Sequence, residues 1–444
     1  MLDMELEPSE LFLTGDECDD EPRTPLYLPR RDTAPCALDE YLRSIPRVVS
    51  RADELMGQTT SISQTVDDDS SALHPLHAAL SSRCLNVLQG EVAHASALQA
   101  DVIFSSEATT CHVVAIRSTA SGQASIPLVS LAHVDQSRVY DNCFDAMLQE
   151  HWQHHQPASS AAPFDNDEYG FFMDDDEAAI GLDDDDEDDA GEISGTEDDP
   201  HFLPSFIGGL DRRTPSMPML TAVAEVADPI EMELHMLGGY LDANGTSQEL
   251  STSLVTTFSK LADKYKGKLR ISLSTAAISS MNTSTSNHND PDGSAPKSRG
   301  LGIDTRTGKV FIVDSLPGHL QGPAVDVRSA RAWAATTAGS HPKLAIIHDT
   351  KSIKGQVRVE PFLYQAQENL NALLQVTDAV LLQLASTSPA HESDQFCSNI
   401  RRTVSFLNTT SAAQVFGKDC VQPLVFQRTA EQGPQQNEWE AVVL

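Results

Sequence analysis

The chain has 444 residues, of which 40% are hydrophobic, and its 65 acidic residues outnumber its 30 basic residues for a formal net charge of -35. It contains no run of about 18 apolar residues, so no membrane-spanning helix is expected. The first residues are acidic where a secretory signal would be basic and then apolar. The strongly negative balance disfavours nucleic acid as a partner. These features predict a soluble protein of the cytoplasm or nucleus.

Seven cysteines are scattered along the chain and form no CxxC pair. They are too few for a disulfide scaffold and lack the spacing of a structural zinc site. We therefore expect reduced thiols and no metal site.

Compositional bias divides the chain into folded and unfolded parts. Residues 165–199 carry 18 of the acidic residues and no basic ones. Consecutive carboxylates repel each other and bury no apolar surface, so disorder is predicted around them. The predicted segments are a disordered acidic N-terminus (1–36), the first part of a folded domain (37–155), a disordered acidic insertion (156–218), and the second part of the domain (219–444) with a disordered Ser/Asn-rich loop (279–298).

The remaining sequence alternates between helical and strand patterns. Pro46 splits a helical region at 37–56, because proline lacks the amide donor. A helix is also predicted where Leu250, Leu254 and Phe258 recur at helical spacing. Short apolar runs predict strands at 101–104, 111–116, 126–132, 232–239, 269–274, 309–315, 344–349 and 357–364, and further helices are predicted at 330–339, 366–385 and 393–407. The pattern indicates an α+β fold with central mixed or antiparallel sheets flanked by helices.

Two of the predicted strands bring a cysteine and a histidine together. Cys111 and His112 are adjacent and must point to opposite faces of their strand, so His112 is a poor partner for the thiol. A hairpin that closes around Gly122 places His133 directly opposite Cys111, where β-carbons lie about 4.5–5.5 Å apart. A thiol and an imidazole on one face can then meet.

This pair suits nucleophilic catalysis. An imidazolium of His133 lowers the pKa of the Cys111 thiol, and the same ring delivers a proton to a leaving amine. Ser105 and Asp135 are both candidates for the group that orients the histidine. Backbone amides near Thr110 and Cys111 are placed to hold an oxyanion. The competing interpretation is that Cys111 is a small buried hydrophobe, as most strand cysteines are.

Three segments resemble the protein N-terminal asparagine amidohydrolase family. EATTCHVV at 107–114 is similar to the family's acidic-Ala-Thr-Thr-Cys-His segment, LAHVD at 131–135 to its histidine-x-aspartate strand, and LHMLGGYLD at 234–242 to its Gly-Gly strand end. Weaker similarities in the same order extend from about residue 39 to 408. The resemblance implies a cofactor-independent hydrolase that converts an N-terminal asparagine of proteins or peptides to aspartate and releases ammonia. It also implies a role upstream of N-end-dependent degradation.

The roles of individual residues follow from the same resemblance. The Cys-His hairpin is also similar to bacterial chemoreceptor glutamine deamidases, in which a hydroxyl residue six positions before the cysteine orients the histidine. That position is Ser105, which we therefore prefer as the third catalytic residue beside Cys111 and His133. Glu107 and Asp135 are candidate carboxylates for the substrate's α-ammonium group, and Thr110 is a further candidate substrate-binding residue. We expect a monomer.

Other interpretations compete with this one. HWQHH at 151–155 could bind a metal, although histidines beside acidic loops are usually solvated. The glycines at 238–239 lack a GxxG continuation and a P-loop lysine, so a nucleotide site is poorly supported. The absence of a papain-type segment argues against a cysteine protease, while a transglutaminase stays open. The alternative class is a non-catalytic acidic adaptor that binds basic partners.

Overall fold

The structure is a computed structural model, and it describes residues 6–13, 24–29, 35–57, 83–120, 125–135, 141–156, 228–284, 294–313, 322–337, 344–353, 355–364, 370–428 and 439–442. All of them belong to one compact unit formed by residues 1–159 and 228–444. Nearly all of the predicted acidic insertion lies outside the described residues, and so does the middle of the predicted Ser/Asn-rich loop, 285–293.

Strands and helices both contribute to this unit, which confirms the predicted α+β class. The strands are β1 (Leu6–Leu13), β2 (Pro25–Pro29), β3 (Cys84–Asn86), β4 (Glu91–Ser96), β5 (Val102–Ser105), β6 (His112–Thr119), β7 (Leu128–Val134), β8 (Ile230–Gly238), β9 (Leu269–Ile278), β10 (Thr283–Ser284), β11 (Ala295–Pro296), β12 (Leu301–Asp304), β13 (Val310–Ile312), β14 (Ala345–His348), β15 (Gln356–Val359), β16 (Leu424–Arg428) and β17 (Trp439–Val442). The helices are α1 (Pro35–Ser44), α2 (Pro46–Gly57), α3 (Asp141–His154), α4 (Thr246–Lys264), α5 (Val325–Thr337), α6 (Asn371–Gln375), α7 (Asp378–Ala385), α8 (Phe396–Thr409) and α9 (Ala412–Phe416).

An eight-stranded mixed sheet with the order β14-β4-β7-β6-β8-β9-β1-β2 forms the centre of the unit. A four-stranded sheet, β13-β12-β5-β3, packs against it through β5 and β7. Strands β4, β5 and β7 are buried along their whole length, as expected for strands covered on both faces. The described chain also contains a three-stranded sheet, β15-β16-β17, and the short pair β10-β11.

Helix α4 covers the large sheet on the face opposite the four-stranded sheet. Its buried side chains include Leu250, Leu254 and Phe258, which are the apolar positions that predicted the helix. The Asp242 carboxylate accepts hydrogen bonds from the amides that open the helix, among them that of Ser247 at 2.8 Å. Phe258 also packs on Phe144 of α3, with ring centroids 4.8 Å apart. The sheet is therefore enclosed between helices and a second sheet.

Two of the segments predicted to be disordered contain strands. Strand β1 adds to the large sheet in parallel with β9, and β2 pairs with β1, so residues 1–36 include two strands. Leu11 and Leu26 are fully buried in this pairing, and the prolines of β2 are tolerated because it lies at the sheet edge. The predicted loop 279–298 is ordered at both ends, where β10 pairs with β11.

None of the helices in the described part of the chain is long and apolar enough to cross a membrane.

Candidate functional site

Cys111 lies at the end of the loop between β5 and β6. Its side chain is half-buried, and its carbonyl accepts a hydrogen bond of 2.9 Å from the amide of Gly239 just beyond β8. Earlier in the loop, Glu107 adopts a left-handed backbone conformation with φ of 64°, and the amide of Ala108 donates to the carbonyl of Arg299 at 2.7 Å. The thiol is thus carried by a loop that is bonded to two neighbouring segments.

The register of the β6–β7 hairpin differs from the predicted one by two residues. His133 is opposite Val113, and His112 is opposite Val134. Cys111 directly precedes β6, and extending the side-chain alternation by one residue puts it on the face of His133, at a diagonal position rather than directly opposed. Diagonal α-carbons lie about 7–8 Å apart, a span that an imidazole ring can bridge.

The Ser105 hydroxyl orients the ring of His133. Ser105 Oγ lies 2.8 Å from Nδ1 of His133, and both residues are buried, with 0% and 2% of their surfaces exposed. The opposite ring nitrogen, Nε2, has no hydrogen-bond partner among the described residues. The bond to Nδ1 therefore leaves Nε2 as the atom available for a proton transfer.

His112 points to the other face of the sheet, as the alternation of side chains requires. Its Nε2 lies 2.7 Å from the hydroxyl of Ser251 on α4. Two glycines make room for this backbone: a β-carbon on Gly238 would lie 2.3 Å from the carbonyl oxygen of Cys111, and one on Gly239 would lie 2.7 Å from the His112 ring. The Gly-Gly pair therefore allows the close approach of β8 to the cysteine.

Burial disfavours the charged forms of both the Cys111 thiol and the His133 imidazole. It raises the pKa of Cys111 well above its usual value, and the charges of Asp135 and Glu392 raise it further, while a hydrogen bond from Thr110 opposes them. Burial also lowers the pKa of His133 to about 4, against an opposing effect of Asp135 and Glu91. Burial therefore opposes, in the resting site, the lowering of the thiol pKa that an imidazolium would cause, because desolvation disfavours both charged forms.

Two main-chain amides near the thiol are open. Within the described residues, the N–H groups of Thr110 and Cys111 donate no hydrogen bond. The side chain of Thr110, in contrast to its amide, has a hydrogen-bond partner: its hydroxyl lies 2.6 Å from the hydroxyl of Thr387. These amides precede the thiol directly and can donate to an oxygen that gains negative charge there.

Three carboxylates surround the site, and sequence reasoning identified two of them. Asp135 accepts a hydrogen bond of 2.6 Å from Gln89 Nε2 and acts electrostatically on both Cys111 and His133. Glu107 is exposed and accepts a bond of 3.4 Å from the Ser393 hydroxyl. Glu392, which lies far along the chain, was missed because no local pattern connects it to the cysteine.

His151 and His155 of HWQHH bond serines on the face of the sheet opposite Cys111, while Nε2 of His154 lies 2.9 Å from the carbonyl oxygen of Ile126. His151 is buried between the hydroxyls of Ser118 at 2.6 Å and Ser130 at 2.7 Å, and His155 also bonds Ser118 at 2.9 Å. Ser130 in turn lies 2.5 Å from Nδ1 of His94. No group of three metal-binding side chains occurs in the described part of the chain. This segment therefore forms a buried hydrogen-bonded chain.

A thiol, an imidazole and a hydroxyl that orients the imidazole can together carry out nucleophilic hydrolysis of an amide. The sequence profile of the family described as "Protein N-terminal asparagine amidohydrolase" matches residues 74–183 and 208–437. The chain belongs to this family.

Three curated relatives, each called "Protein N-terminal asparagine amidohydrolase", align with part of the chain. The pig protein (Sus scrofa) is 27% identical over 202 residues, or 45% of this chain and 58% of the relative. The mouse protein (Mus musculus) is 28% identical over 191 residues, or 43% and 55%, and the human protein (Homo sapiens) is 27% identical over 176 residues, or 40% and 50%. The chain thus spans about half the length of the curated relatives it matches.

Proposed function

We propose that the chain deamidates the side chain of an N-terminal asparagine in proteins or peptides, giving aspartate and ammonia. Membership of the family and the names of the three relatives support this substrate. The observation that carries the chemistry is the bond between Ser105 and His133 on the face that Cys111 shares.

Because burial disfavours both the thiolate and the imidazolium, the thiol proton is transferred during the attack and not before it. As the Cys111 sulfur attacks the carboxamide carbon, the thiol proton passes to Nε2 of His133, while the amides of Thr110 and Cys111 stabilise the oxyanion. His133 then returns the proton to the departing ammonia, and a thioester on Cys111 is left. One water molecule hydrolyses the thioester and restores the thiol, so the reaction consumes water and releases ammonia.

The cellular context belongs to the same proposal. A new N-terminal aspartate would feed N-end-dependent degradation, which fits an enzyme of the cytoplasm or nucleus that acts as a monomer on protein termini. The chemistry uses the chain's own side chains and water.

The test is ammonia release from peptides that begin with Asn, Gln or N-acetyl-Asn. Wild type is expected to act on the Asn peptide and to discriminate against Gln, since a difference of one methylene contributes about 1–3 kcal/mol. Cys111→Ser is expected to lose the activity. Equal turnover of all three peptides, or full activity of Cys111→Ser, would refute the proposal.

A further inference from the structure

A carboxylate from the C-terminal part of the chain is held beside the nucleophile loop. Glu392 follows the short 3-10 turn Pro389–His391 and is half-buried. Its Oε1 accepts hydrogen bonds from the hydroxyl of Ser386 and, at 3.5 Å, from that of Thr109. The side chain is thereby oriented on one oxygen, and Oε2 accepts no bond from the described residues.

Further contacts fix the same segment to the site. Thr387 bonds Thr110 side chain to side chain at 2.6 Å, and Arg299 donates to the carbonyl of His391 at 3.0 Å. The ring of His391 also contacts Tyr240, with centroids 5.1 Å apart. The two residues that precede Cys111 are therefore both bonded to the segment that carries Glu392.

The burial of Glu392 and the negative charge near it favour the binding of a cation. Burial raises the pKa of its carboxyl and the Glu107 charge raises it further, while the hydrogen bond from Ser386, the charge of Arg299 and the hydrogen bond from Thr109 lower it. Among the described residues, no basic side chain forms an ion pair with it. An anion that is partly desolvated and faces other anions is stabilised by an ammonium group that donates charge-assisted hydrogen bonds.

We propose that the carboxylate of Glu392 binds the α-ammonium group of the substrate's terminal asparagine. This inference rests on the proposed deamidase function. The α-nitrogen and the carboxamide carbon of asparagine are separated by three bonds, so the group that binds the ammonium must lie beside the sulfur that attacks the carbon. The buried Nε2 of His133, which lacks a partner in the described residues, marks where the carboxamide nitrogen would lie.

Electrostatics separate Glu392 from Asp135. The charge of Asp135 affects the pKa of both Cys111 and His133. The charge of Glu392 affects the pKa of Cys111, whereas the carboxylates that affect the pKa of His133 are Asp135 and Glu91. The carboxylate of Glu392 therefore affects the thiol, and its segment is held beside the nucleophile loop by the bonds to Thr109 and Thr110. An ammonium bound there leaves the imidazole free for the leaving ammonia and cancels a negative charge that disfavours the thiolate.

Glu107 fits the role less well because it is exposed. It therefore contributes to the field around Glu392 rather than to the primary contact.

Binding to the inactive Cys111→Ser protein tests the assignment without depending on turnover. Calorimetry with an Asn-initiated peptide and its N-acetyl form is expected to show about 10- to 100-fold tighter binding of the free amine, the effect of a hydrogen bond to a charged group. In Cys111→Ser with Glu392→Gln, the two peptides are expected to bind equally. Glu392→Asp is expected to retain preference for the amine, and Asp394→Asn, which removes an exposed charge two positions away, serves as the matched control.

The outcomes separate this inference from the deamidase proposal. Amine preference that survives Glu392→Gln in a protein of unchanged thermal midpoint overturns the role of Glu392, even if wild type deamidates Asn peptides. Equal binding of both peptides to the Cys111→Ser parent also overturns it. Amine preference that depends on Glu392, in a chain that releases no ammonia, supports the inference and refutes the deamidase proposal.

Discussion

The hydroxyl of Ser105 lies 2.8 Å from Nδ1 of His133, and this bond joins two different sheets of the protein. Ser105 ends β5 of the four-stranded sheet, whereas His133 lies near the end of β7 in the eight-stranded sheet. The orientation of the proposed base therefore depends on how the sheets pack. A change in that packing would rotate the imidazole away from the thiol.

Ser105→Ala is expected to lower kcat/KM for an Asn-initiated peptide by about 10- to 1000-fold, because the imidazole loses its orienting partner. The free energy of unfolding should fall by about 1–3 kcal/mol, since Nδ1 is left buried and unpaired. Steady-state kinetics and urea unfolding measure the two effects. Ser106→Ala, at the half-buried neighbour, is the control; equal losses in both variants would contradict the assigned role.

Alkylation of Cys111 by iodoacetamide should become faster with increasing pH from 7 to 9 and show no plateau near neutrality. The reason is that burial raises the thiol pKa and lowers that of His133 to about 4, which disfavours a thiolate–imidazolium pair in the resting site. The difference in labelling between wild type and Cys111→Ser isolates this thiol from the other free cysteines. A rate that is already maximal at pH 6 would indicate a preformed ion pair instead.

Gly238→Ala is expected to lower activity by more than about 100-fold, since its β-carbon would displace the Cys111 backbone and small misplacements of a nucleophile are costly. Gly245→Ala is the matched control: both glycines have positive φ, 131° and 75°, but a β-carbon at Gly245 meets nothing within 4 Å. It should cost about 1 kcal/mol of stability and leave kcat/KM intact. Similar activity in both variants would show that the close approach is unimportant.

The protein should lose stability as the pH falls from about 6.5 towards 4. Burial lowers the pKa of His94 and His235 to about 4 and that of His112 to about 3, so only the unfolded chain binds these protons in that range. Each such histidine removes up to about 1.4 kcal/mol per pH unit. Urea unfolding between pH 7 and 5 measures the slope, and a flat profile would contradict this assignment.

A substitution of His151 tests how much one buried histidine contributes to the pH dependence of stability. Its pKa is lowered by burial and by the neighbouring histidines, of which His94 acts most strongly. His151→Gln is therefore expected to reduce the slope of stability against pH below 6.5. Urea unfolding of this variant and of wild type over the same pH range measures the difference, and an unchanged slope would contradict the contribution of His151.

The shared face of Cys111 and His133 was predictable from sequence, but their register was not. Side-chain alternation survives a slip of two residues and would be reversed by a slip of one. The observed hairpin ends at Ser118 opposite Leu128, so Ile126 and Pro127 belong to the connection rather than to the strand. Gly122 alone therefore did not predict the centre of the turn correctly. The second strand begins only after Pro127, because proline lacks the amide that would extend the hydrogen-bonded ladder.

The position of Glu392 and the helix α3 could not be predicted from local sequence patterns. Glu392 reaches the site through contacts that span 283 positions, and no sequence spacing encodes such a contact. Helix α3 was missed because buried His151 occupies a position of its inner face where an apolar residue is expected. The α4 helix was predicted correctly because propensity and burial agree there.

The central claim is that the Cys111 sulfur forms a thioester with the substrate. Intact-protein mass spectrometry of enzyme quenched in acid during turnover of an Asn-initiated peptide tests it most directly. We expect a covalent adduct, with loss of ammonia, that maps to Cys111 and is absent from Cys111→Ser. An adduct on another cysteine, or undiminished conversion of Asn to Asp by Cys111→Ser, would contradict it.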